Sequence, residues 1–180
     1  AAGGEVLLRG ICPSDLKVPL EEFQKAGAAV DADEENCQIR ICMRKRPLPL
    51  LIKTEPYPGF PTDLQSPFMA FLATALGTSY IEEQVFEGRF ATAKILEQMG
   101  AVIRTENQRA VIEGHYPLKG AAVNACDLRG GAALMVAALA AEGDTFIGEC
   151  HHIERGYEDI CRDMAALGAH IRWVENDFTR

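Results

Sequence analysis

The sequence lacks a long apolar run and any excess of positive charge. Its 180 residues include 18 Lys or Arg and 26 Asp or Glu, for a formal net charge of −8. A chain of this sign is not expected to bind nucleic acid over a general surface, although local arginine pockets are compatible with it. No stretch approaches the length of a membrane span, and no secretory leader pattern is visible. We therefore expect neither a nucleic-acid nor a membrane partner.

Paired-cysteine motifs are also missing. The six cysteines form no CxxC pair and no zinc-ligand spacing, so we expect reduced thiols, a cytoplasmic location, and no metal or cofactor. The nearest approach to a metal motif is Cys150-His151-His152. Adjacent residues of a strand point to opposite faces, which argues against a shared ion. The chain starts at Ala1 without a methionine and leads directly into a strand pattern, which indicates a piece of a longer chain.

Internal repetition is what the sequence does have. Three helix patterns end in a glycine followed by an alanine, at Gly27, Gly100 and Gly168, and the glycines are 73 and 68 residues apart (100 − 27 and 168 − 100). Each glycine stands where a residue in the left-handed conformation closes a helix before a strand. Whole units that recur at regular spacing indicate internal duplication.

A second match is independent of the glycines. Asp63-Leu64-Gln65 and Asp127-Leu128-Arg129 lie 64 residues apart (127 − 63), and each opens an apolar helix. The order of elements predicts α/β units of the form strand, helix, strand, helix and a strand pair, or βαβαββ. We expect the strand pairs at 37–44 with 50–53 and at 110–113 with 121–125. Two full units would fit, and a third would stop at Arg180, after a strand at 170–174, without its closing strands.

Units of this kind cannot bury their apolar faces alone, so they must pack together. The sequence predicts an incomplete threefold arrangement whose missing strands come from elsewhere. An unpaired sheet edge would also invite self-association.

A proline-rich segment precedes Asp63. Three prolines and a glycine between Pro56 and Pro61 predict a stiff, extended run that ends where a helix over 68–76 begins. Thr62 and Gln65 have the spacing of a capping box. Asp63 would then lie at a helix N-terminus, where backbone N–H groups can hold a polar ligand. The alternative is a proline-rich turn with an acidic first turn and no ligand.

Three arginines stand at predicted helix starts: Arg89, Arg129 and Arg155. An unpaired cation there is unfavourable by up to about 1 kcal/mol, so either a local carboxylate (Glu87 or Glu154) or a bound anion should accompany them. Helix N–H groups and guanidinium forks together suit phosphate or carboxylate. Asp63 and Asp127 are the acidic members of the same surface, either as helix caps or as groups that contact a ligand.

These motifs resemble those of a known family. Pro56–Gln65, Phe86–Phe90, Asp127–Arg129 and Ile153–Tyr157 are similar, in order and spacing, to segments of the UDP-N-acetylglucosamine enolpyruvyl transferases (1-carboxyvinyltransferases), over about residues 5–173. The resemblance implies two domains, each an inside-out α/β barrel of three βαβαββ units. Residues 1–180 would be a single domain, the C-terminal half of such an enzyme, with its third unit incomplete and the other domain absent.

The resemblance also implies an activity. Members of this family transfer the enolpyruvyl group of phosphoenolpyruvate to the 3-hydroxyl of UDP-N-acetylglucosamine and release phosphate. This reaction is the first committed step of peptidoglycan synthesis, and it serves cell wall biogenesis, cell shape and cell division. The expected partners are these two small molecules and the missing N-terminal domain of the same protein.

Residue roles follow from the same resemblance. The site would contain Asp63, Val85, Arg89, Asp127, Arg129 and Arg155. Asp63 corresponds to the base that contacts the sugar hydroxyl, and Val85 to a backbone contact with the nucleotide. Arg129 and Arg155 correspond to the residues that hold the anionic groups of phosphoenolpyruvate, with Asp127 beside them. Arg89 corresponds to a family arginine near the cleft. Asp63, Asp127 and Arg155 would form the catalytic set.

Two other interpretations stay open. A 5-enolpyruvylshikimate-3-phosphate synthase would share the repeat fold and the enolpyruvyl donor, although Pro58–Gln65 and Arg155–Glu158 favour the nucleotide-sugar enzyme. The second alternative is a non-catalytic nucleotide-sugar-binding paralogue. The family carries a lysine and a reactive cysteine in its other domain, and none of the six cysteines here has the Gly-Gly-Cys setting. We therefore expect this chain alone to be inactive and to bind nucleotide weakly at best.

Overall fold

The computed structural model describes residues 1–174. In chain order its helices and strands are β1 (Gly4–Arg9), α1 (Lys17–Lys25), β2 (Ala29–Asp33), β3 (Gln38–Met43), β4 (Leu51–Lys53), α2 (Gln65–Leu72), β5 (Thr78–Glu82), α3 (Ala91–Gln98), β6 (Val102–Glu106), β7 (Arg109–Glu113), β8 (Leu118–Lys119), β9 (Ala122–Asn124), α4 (Leu128–Ala138), β10 (Ala141–Glu142), β11 (Phe146–Gly148), α5 (His151–Glu154) and α6 (Ile160–Ala166).

The strands form two larger sheets and two parallel pairs. The first sheet has the order β1-β3-β2 and is antiparallel. The second has the order β4-β5-β7-β6, in which β4 is parallel to β5 and the other pairs are antiparallel. β9 pairs with β11 and β8 with β10, both in parallel. The parallel pairs β4–β5 and β9–β11 are joined by the crossing helices α2 and α4, as parallel strands require.

This topology contains the predicted repeat in a different phase. The complete βαβαββ unit runs from β4 to β7, preceded by the last four elements of one unit and followed by the first elements of another. The prediction of two full units was therefore wrong. The predicted strand pairs were also wrong, because β3 pairs with β1 and β2 while β4 pairs with β5. In the same way β7 pairs with β5 and β6, and β9 with β11. Neighbours in sequence were mistaken for neighbours in the sheet.

Helices fill the interior and the sheets lie outside them. Every residue of α2 from Phe68 to Leu72 is buried, as expected for a helix that is apolar all round. This helix packs along α4, and α3 contacts both. The four-stranded sheet turns one face inward, where Ile52, Ile81 and Ile112 join the core, and leaves side chains such as Leu51 on the outer face half exposed. This is the predicted inside-out α/β arrangement.

The three helix-closing glycines are confirmed. Gly27, Gly100 and Gly168 have φ of 98°, 85° and 96°, a region that side chains with a Cβ rarely adopt. In each case the glycine N–H and the next N–H bond back to carbonyls of the last helical turn, as Gly27 and Ala28 do to Gln24 and Phe23 at 2.9 Å. All three are Schellman motifs, and α1, α3 and α6 therefore end in the same way.

The proline-rich segment is a folded loop rather than the extended run that was predicted. The Gly59 N–H donates to the Pro56 carbonyl at 2.8 Å, and the Glu55 N–H donates to the Phe60 carbonyl at 2.9 Å. These two bonds turn the chain back on itself, so that Phe60 pairs with Thr54 in an isolated bridge. Proline fixes the backbone φ, which suits a turn as well as an extended run.

Two predictions near the C-terminal end were also wrong. Cys150-His151-His152 does not form a strand but begins α5, because a helical turn buries Ile153. No strand forms at 170–174, and these residues pair with no strand of the described part of the chain. A strand needs a partner that offers a ladder of hydrogen bonds. The predicted stop of the third unit at Arg180 lies outside the described residues, which do not include 175–180.

Candidate active site

Asp63 is the centre of the site. It lies in a 3-10 turn, Thr62–Leu64, directly before α2, and its side chain is 61% exposed. Arg129 donates from Nε to Asp63 Oδ1 at 2.5 Å, and Arg89 Nη1 lies 3.6 Å from the same oxygen. The two arginines come from the starts of α4 and α3. The beginnings of three helices therefore meet at one carboxylate.

Asp127 lies at the start of α4 and caps it. Its backbone is extended, with φ −164° and ψ 178°, and its Oδ1 accepts from the Gly130 N–H at 2.7 Å. Oδ2 lies 3.7 Å from the Cys126 sulfur. Of the two roles left open for Asp127, the structure displays capping. The cap orients the first turn of α4, in which Arg129 lies.

Arg89 has three partners on the same surface. Its Nη1 donates to Thr62 Oγ1 at 2.7 Å, it pairs with Asp63, and its guanidinium carbon lies 4.4 Å from the centroid of the Phe86 ring. A cation over an aromatic face is attracted by the ring quadrupole. Within residues 1–174 its ion-pair partner is Asp63 and not the local Glu87. The arginine is thus aimed at the predicted site.

The capping box predicted for Thr62 and Gln65 is absent. No side chain caps the 3-10 turn or α2, because the Thr62 hydroxyl donates instead to Glu83 Oε2 at 2.8 Å. Gln65 is fully buried and accepts from the Ser66 hydroxyl at 3.0 Å. A long-range partner for Thr62 and the adjacent Ser66 for Gln65 therefore replace the bond that the spacing suggested.

Glu83 is a site-supporting residue that the sequence analysis missed. It has no exposed surface, and its carboxylate accepts from the hydroxyls of Thr54 and Thr62 and from the N–H groups of Val85 and Phe86. A period-two pattern could have found it, since Ser79, Ile81 and Glu83 alternate with outward residues along β5 and beyond its end. Both Ser79 and Ile81 are fully buried.

Val85 is half-buried beside this carboxylate. Its N–H donates to Glu83 Oε1 at 2.9 Å and is therefore already in use. The backbone contact with a nucleotide that the resemblance implies would have to come from the Val85 carbonyl oxygen.

Arg155 is exposed and does not contact Asp63 or Arg129. It stands at the C-terminal end of α5, not at the N-terminus of a helix as predicted, so its position there is electrostatically favourable. Its side chain forms no ion pair within residues 1–174. The segment does reach the start of α4, since a Cβ at Gly156 would lie 2.6 Å from Leu128 Cδ1. The structure thus places the backbone next to Arg155 against Leu128, the residue before Arg129.

The arginines set the protonation of Asp63. The hydrogen bond from Arg129, followed by the charges of Arg129 and Arg89, lowers the pKa of Asp63 against the opposing effect of partial burial. The same bond raises the pKa of Arg129, with smaller contributions from Asp127 and Tyr157. Because the carboxyl pKa is lowered on folding, the pair stabilises the fold above the ordinary carboxyl pKa, and this contribution is lost as the pH falls through the lowered value. The contribution is small because the carboxylate is exposed.

Neither a metal cluster nor a membrane helix is found in the described chain. Within residues 1–174, no three His, Cys, Asp or Glu side chains are grouped so that they could hold a metal ion. Within the same residues, no helix has both the length and the apolar character needed to cross a membrane.

Comparison with known proteins defines the class first. The family model described as EPSP synthase (3-phosphoshikimate 1-carboxyvinyltransferase) matches residues 1–164. The enolpyruvyl transferase NikO from Streptomyces tendae superposes with a TM-score of 0.84 at 29% identity, over 95% of this chain and 41% of that one. An EPSP synthase from Acinetobacter baumannii shares the fold, with a TM-score of 0.65 at 20% identity over 85% of this chain and 37% of that one. The fold is that of the enolpyruvyl transferases.

Sequence relatives define the family within this class. The chain is 46% identical to the UDP-N-acetylglucosamine 1-carboxyvinyltransferase of Desulfofundulus thermocisternus, over 95% of this chain and 70% of that protein. It is 43% identical to UDP-N-acetylglucosamine 1-carboxyvinyltransferase 3 of Symbiobacterium thermophilum, over 94% of this chain and 39% of that protein. The chain belongs to the UDP-N-acetylglucosamine 1-carboxyvinyltransferase family. It spans less than half the length of most of the curated relatives that it matches.

Proposed function

We propose that the whole protein to which this chain belongs transfers the enolpyruvyl group of phosphoenolpyruvate to the 3-hydroxyl of UDP-N-acetylglucosamine and releases phosphate. The observation that carries the proposal is the Asp63 carboxylate between Arg129 and Arg89, at 2.5 and 3.6 Å, where three helices begin. A base for a hydroxyl and cations for an anionic donor are the groups that this addition requires. The names of the relatives support the choice of substrates.

The proposed reaction is an addition followed by an elimination. Asp63 takes the proton of the sugar hydroxyl while the hydroxyl oxygen bonds to C2 of phosphoenolpyruvate. A proton is delivered to C3 in the same step. The tetrahedral intermediate then loses phosphate from C2 and the added proton from C3, which restores the double bond. The proton donor to C3 is expected from the other domain, in line with the family resemblance.

Asp63 changes partners in this scheme. In the ligand-free chain its pKa is lowered by Arg129, and a carboxylate that is held so firmly is a weak base. The phosphate and carboxylate of the donor compete for the same guanidinium groups, which form strong bidentate contacts with such anions. As the donor binds, Asp63 loses part of its pairing, its pKa rises, and it accepts the hydroxyl proton more readily.

The remaining site residues have supporting roles in the proposal. Arg155, which is exposed beside the start of α4, supplies a further cation for the donor. Asp127 fixes the first turn of α4 by its cap. The proposed backbone contact of Val85 with the nucleotide sugar uses its carbonyl, because its N–H is already bound to Glu83.

We further propose that residues 1–180 are the C-terminal half of a two-domain cytoplasmic enzyme. The other domain would close over the Asp63 surface, so the chain alone is expected to be inactive. The parallel pair β9–β11 has no further strand among residues 1–174. We expect strands from the rest of the protein, or from a second copy of the chain, to pair with the free edges of β9–β11.

An EPSP synthase-like acceptor is the second candidate, favoured by the description of the matching family model. The test incubates the full-length protein with phosphoenolpyruvate and either UDP-N-acetylglucosamine or shikimate-3-phosphate, and measures phosphate release. We expect release with the nucleotide sugar and none from residues 1–180 alone. Release with shikimate-3-phosphate as acceptor, and not with UDP-N-acetylglucosamine, would establish the second candidate. Binding of the nucleotide sugar without release from the full-length protein would mark a non-catalytic paralogue.

A further inference from the structure

The buried carboxylate of Glu83 connects three separate segments of the site. Oε1 accepts from Thr54 Oγ1 at 2.8 Å, at the end of β4, and from the Val85 and Phe86 N–H groups at 2.9 and 3.1 Å. Oε2 accepts from Thr62 Oγ1 at 2.8 Å, next to Asp63. One side chain thus holds the β4 end, the loop with Val85 and the turn with Asp63.

The directions of these bonds match those that an ionised carboxylate requires. Thr54 Oγ1 accepts from the Gln84 N–H at 2.9 Å, so its own hydrogen is free to point at Glu83. Thr62 Oγ1 accepts from Arg89 Nη1 at 2.7 Å, so its hydrogen also points at Glu83. Backbone N–H groups can only donate. All four partners are donors, so the pocket supplies the contacts that an ionised carboxylate needs.

A chain of two hydrogen bonds, the relay, leads from this carboxylate through Thr62 to Arg89 beside Asp63. Arg89 donates to Thr62 at 2.7 Å, and Thr62 donates to Glu83 at 2.8 Å. The buried charge polarises the hydroxyl and makes it a better acceptor for the guanidinium, since hydrogen bonds in a chain strengthen one another. This holds Arg89 with its Nη1 3.6 Å from Asp63 Oδ1.

We propose that Glu83 is a positioning residue, which fixes Arg89 beside Asp63 through the Thr62 hydroxyl and holds the backbone of Val85 and Phe86 through their N–H groups. Its effect on turnover rests on the proposed function, whereas its effect on Arg89 does not. Glu83 itself, which is fully buried, touches no substrate.

Glu83→Gln is the main test variant, made in the full-length protein. Three donors meet at Oε1 and one at Oε2, so the amide oxygen of the glutamine takes the Oε1 place. The NH2 group then faces Thr62, and a donor replaces the acceptor there. The loop contacts persist, the negative charge disappears, and the Thr62 hydrogen must turn away from residue 83.

Thr62→Val and Thr62→Ser test the relay without altering Glu83. Valine has the shape of threonine but no hydroxyl, so Arg89 loses its acceptor, while serine keeps the hydroxyl. The matched control is Glu82→Gln, one position earlier. Its carboxylate lies 3.2 Å from Lys53 and 4.0 Å from Arg109 on the outer face of the sheet.

We expect both Glu83→Gln and Thr62→Val to lower kcat for phosphate release by about 10- to 100-fold, the range for loss of a hydrogen bond to a charged group. The Glu83→Gln, Thr62→Val double variant should be no slower than the slower single one, because both break one relay. Thr62→Ser and Glu82→Gln should keep wild-type kcat. Additive losses in the double variant would overturn the proposal.

A second measurement decides the inference even if the reaction is a different one. The Asp63 carboxyl is titrated by carbon-13 NMR in the ligand-free full-length protein. Arg89 contributes to the lowered pKa of Asp63, so the pKa should rise part of the way in Glu83→Gln and Thr62→Val and stay unchanged in the two controls. If the wild type releases no phosphate, the proposed function fails and this titration stands alone. An unchanged Asp63 pKa in Thr62→Val, which keeps Glu83, would overturn the positioning role even if Glu83→Gln does not fold.

Discussion

Asp63 and Asp127 stand at corresponding places in two repeats, yet they have different partners. Asp127 directly precedes the first residue of α4 and caps the helix through the Gly130 N–H. Asp63 lies within the 3-10 turn that leads into α2, so it does not cap that helix, and its carboxylate contacts Arg129 and Arg89 instead. Repetition supplied the same acidic residue twice. The position at which the helix begins decides whether its charge serves the backbone or faces a ligand.

The largest expected effect separates the two aspartates by chemistry. Asp63→Asn removes the proposed base and should lower kcat of the full-length protein by about 10²- to 10⁴-fold, the usual contribution of a general base. Asp127→Asn should cause a smaller loss, because its amide oxygen can still accept from Gly130. Phosphate release with both substrates is the measurement, with the melting temperature as a check on folding. A larger loss in Asp127→Asn than in Asp63→Asn would reverse the comparison.

The next effect concerns Arg129, which within residues 1–174 forms an ion pair with Asp63 and none with Asp127. Arg129→Gln should raise KM for phosphoenolpyruvate by about 10- to 100-fold, because a charged fork to an anion is lost. It should also raise the pKa of Asp63, which the Arg129 hydrogen bond lowers, as read from the carbon-13 carboxyl signal. Arg104→Gln is the matched control, since Arg104 of β6 pairs with Glu113 of β7 at 3.3 Å. If the pKa of Asp63 in Arg129→Gln equals that of the wild type, Arg129 is not the group that lowers it.

Stability should show the opposite ranking. Asp127→Ala removes the helix cap and should lower the free energy of unfolding by about 1 kcal/mol. Asp63→Ala removes an exposed ion pair and should change it by no more than about 0.5 kcal/mol. Urea denaturation of the full-length variants measures both. Equal losses would mean that Asp63 has a structural role like that of Asp127.

The smallest effect uses the thiol next to Asp127. Burial, and then the Asp127 charge and hydrogen bond, raise the pKa of Cys126. Asp127→Asn should lower that pKa and speed alkylation of Cys126 at pH 8 by roughly two- to threefold, because the thiolate is the reactive form. Asp63→Asn should leave the rate unchanged. Mass spectrometry of the Cys126 peptide gives the rate, and a slower reaction in Asp127→Asn would contradict the cause assigned.

Local signals made part of this fold readable from the sequence. The glycines at 27, 100 and 168 close their helices as expected, because a C′ glycine depends on its own backbone and its immediate neighbours. The cap of Asp127 was readable for the same reason. Strand partners were not, since the alternation of β4 does not tell whether β3 or β5 lies beside it.

The site was readable in its residues but not in its contacts. Arg89 and Asp63 were named, but their pairing across 26 residues (89 − 63) depends on how α2 and α3 pack. The Thr62 spacing suggested a cap, whereas its hydroxyl donates to a buried carboxylate one residue past the end of β5. A glutamate is normally exposed, so Glu83 gave no sign of its burial apart from its place in the alternation of the strand.

The three Schellman motifs act as fixed joints between adjustable spacers. From one joint to the next aspartate the chain runs 36 residues in one repeat and 27 in the other (63 − 27 and 127 − 100), yet the joints keep the same hydrogen bonds. The two repeats therefore differ in the length of these connections, where chains tolerate a change of length, while the hydrogen bonds that close the helices are the same. An engineer who wished to graft new loops onto this scaffold would cut within the spacers and leave the joints intact.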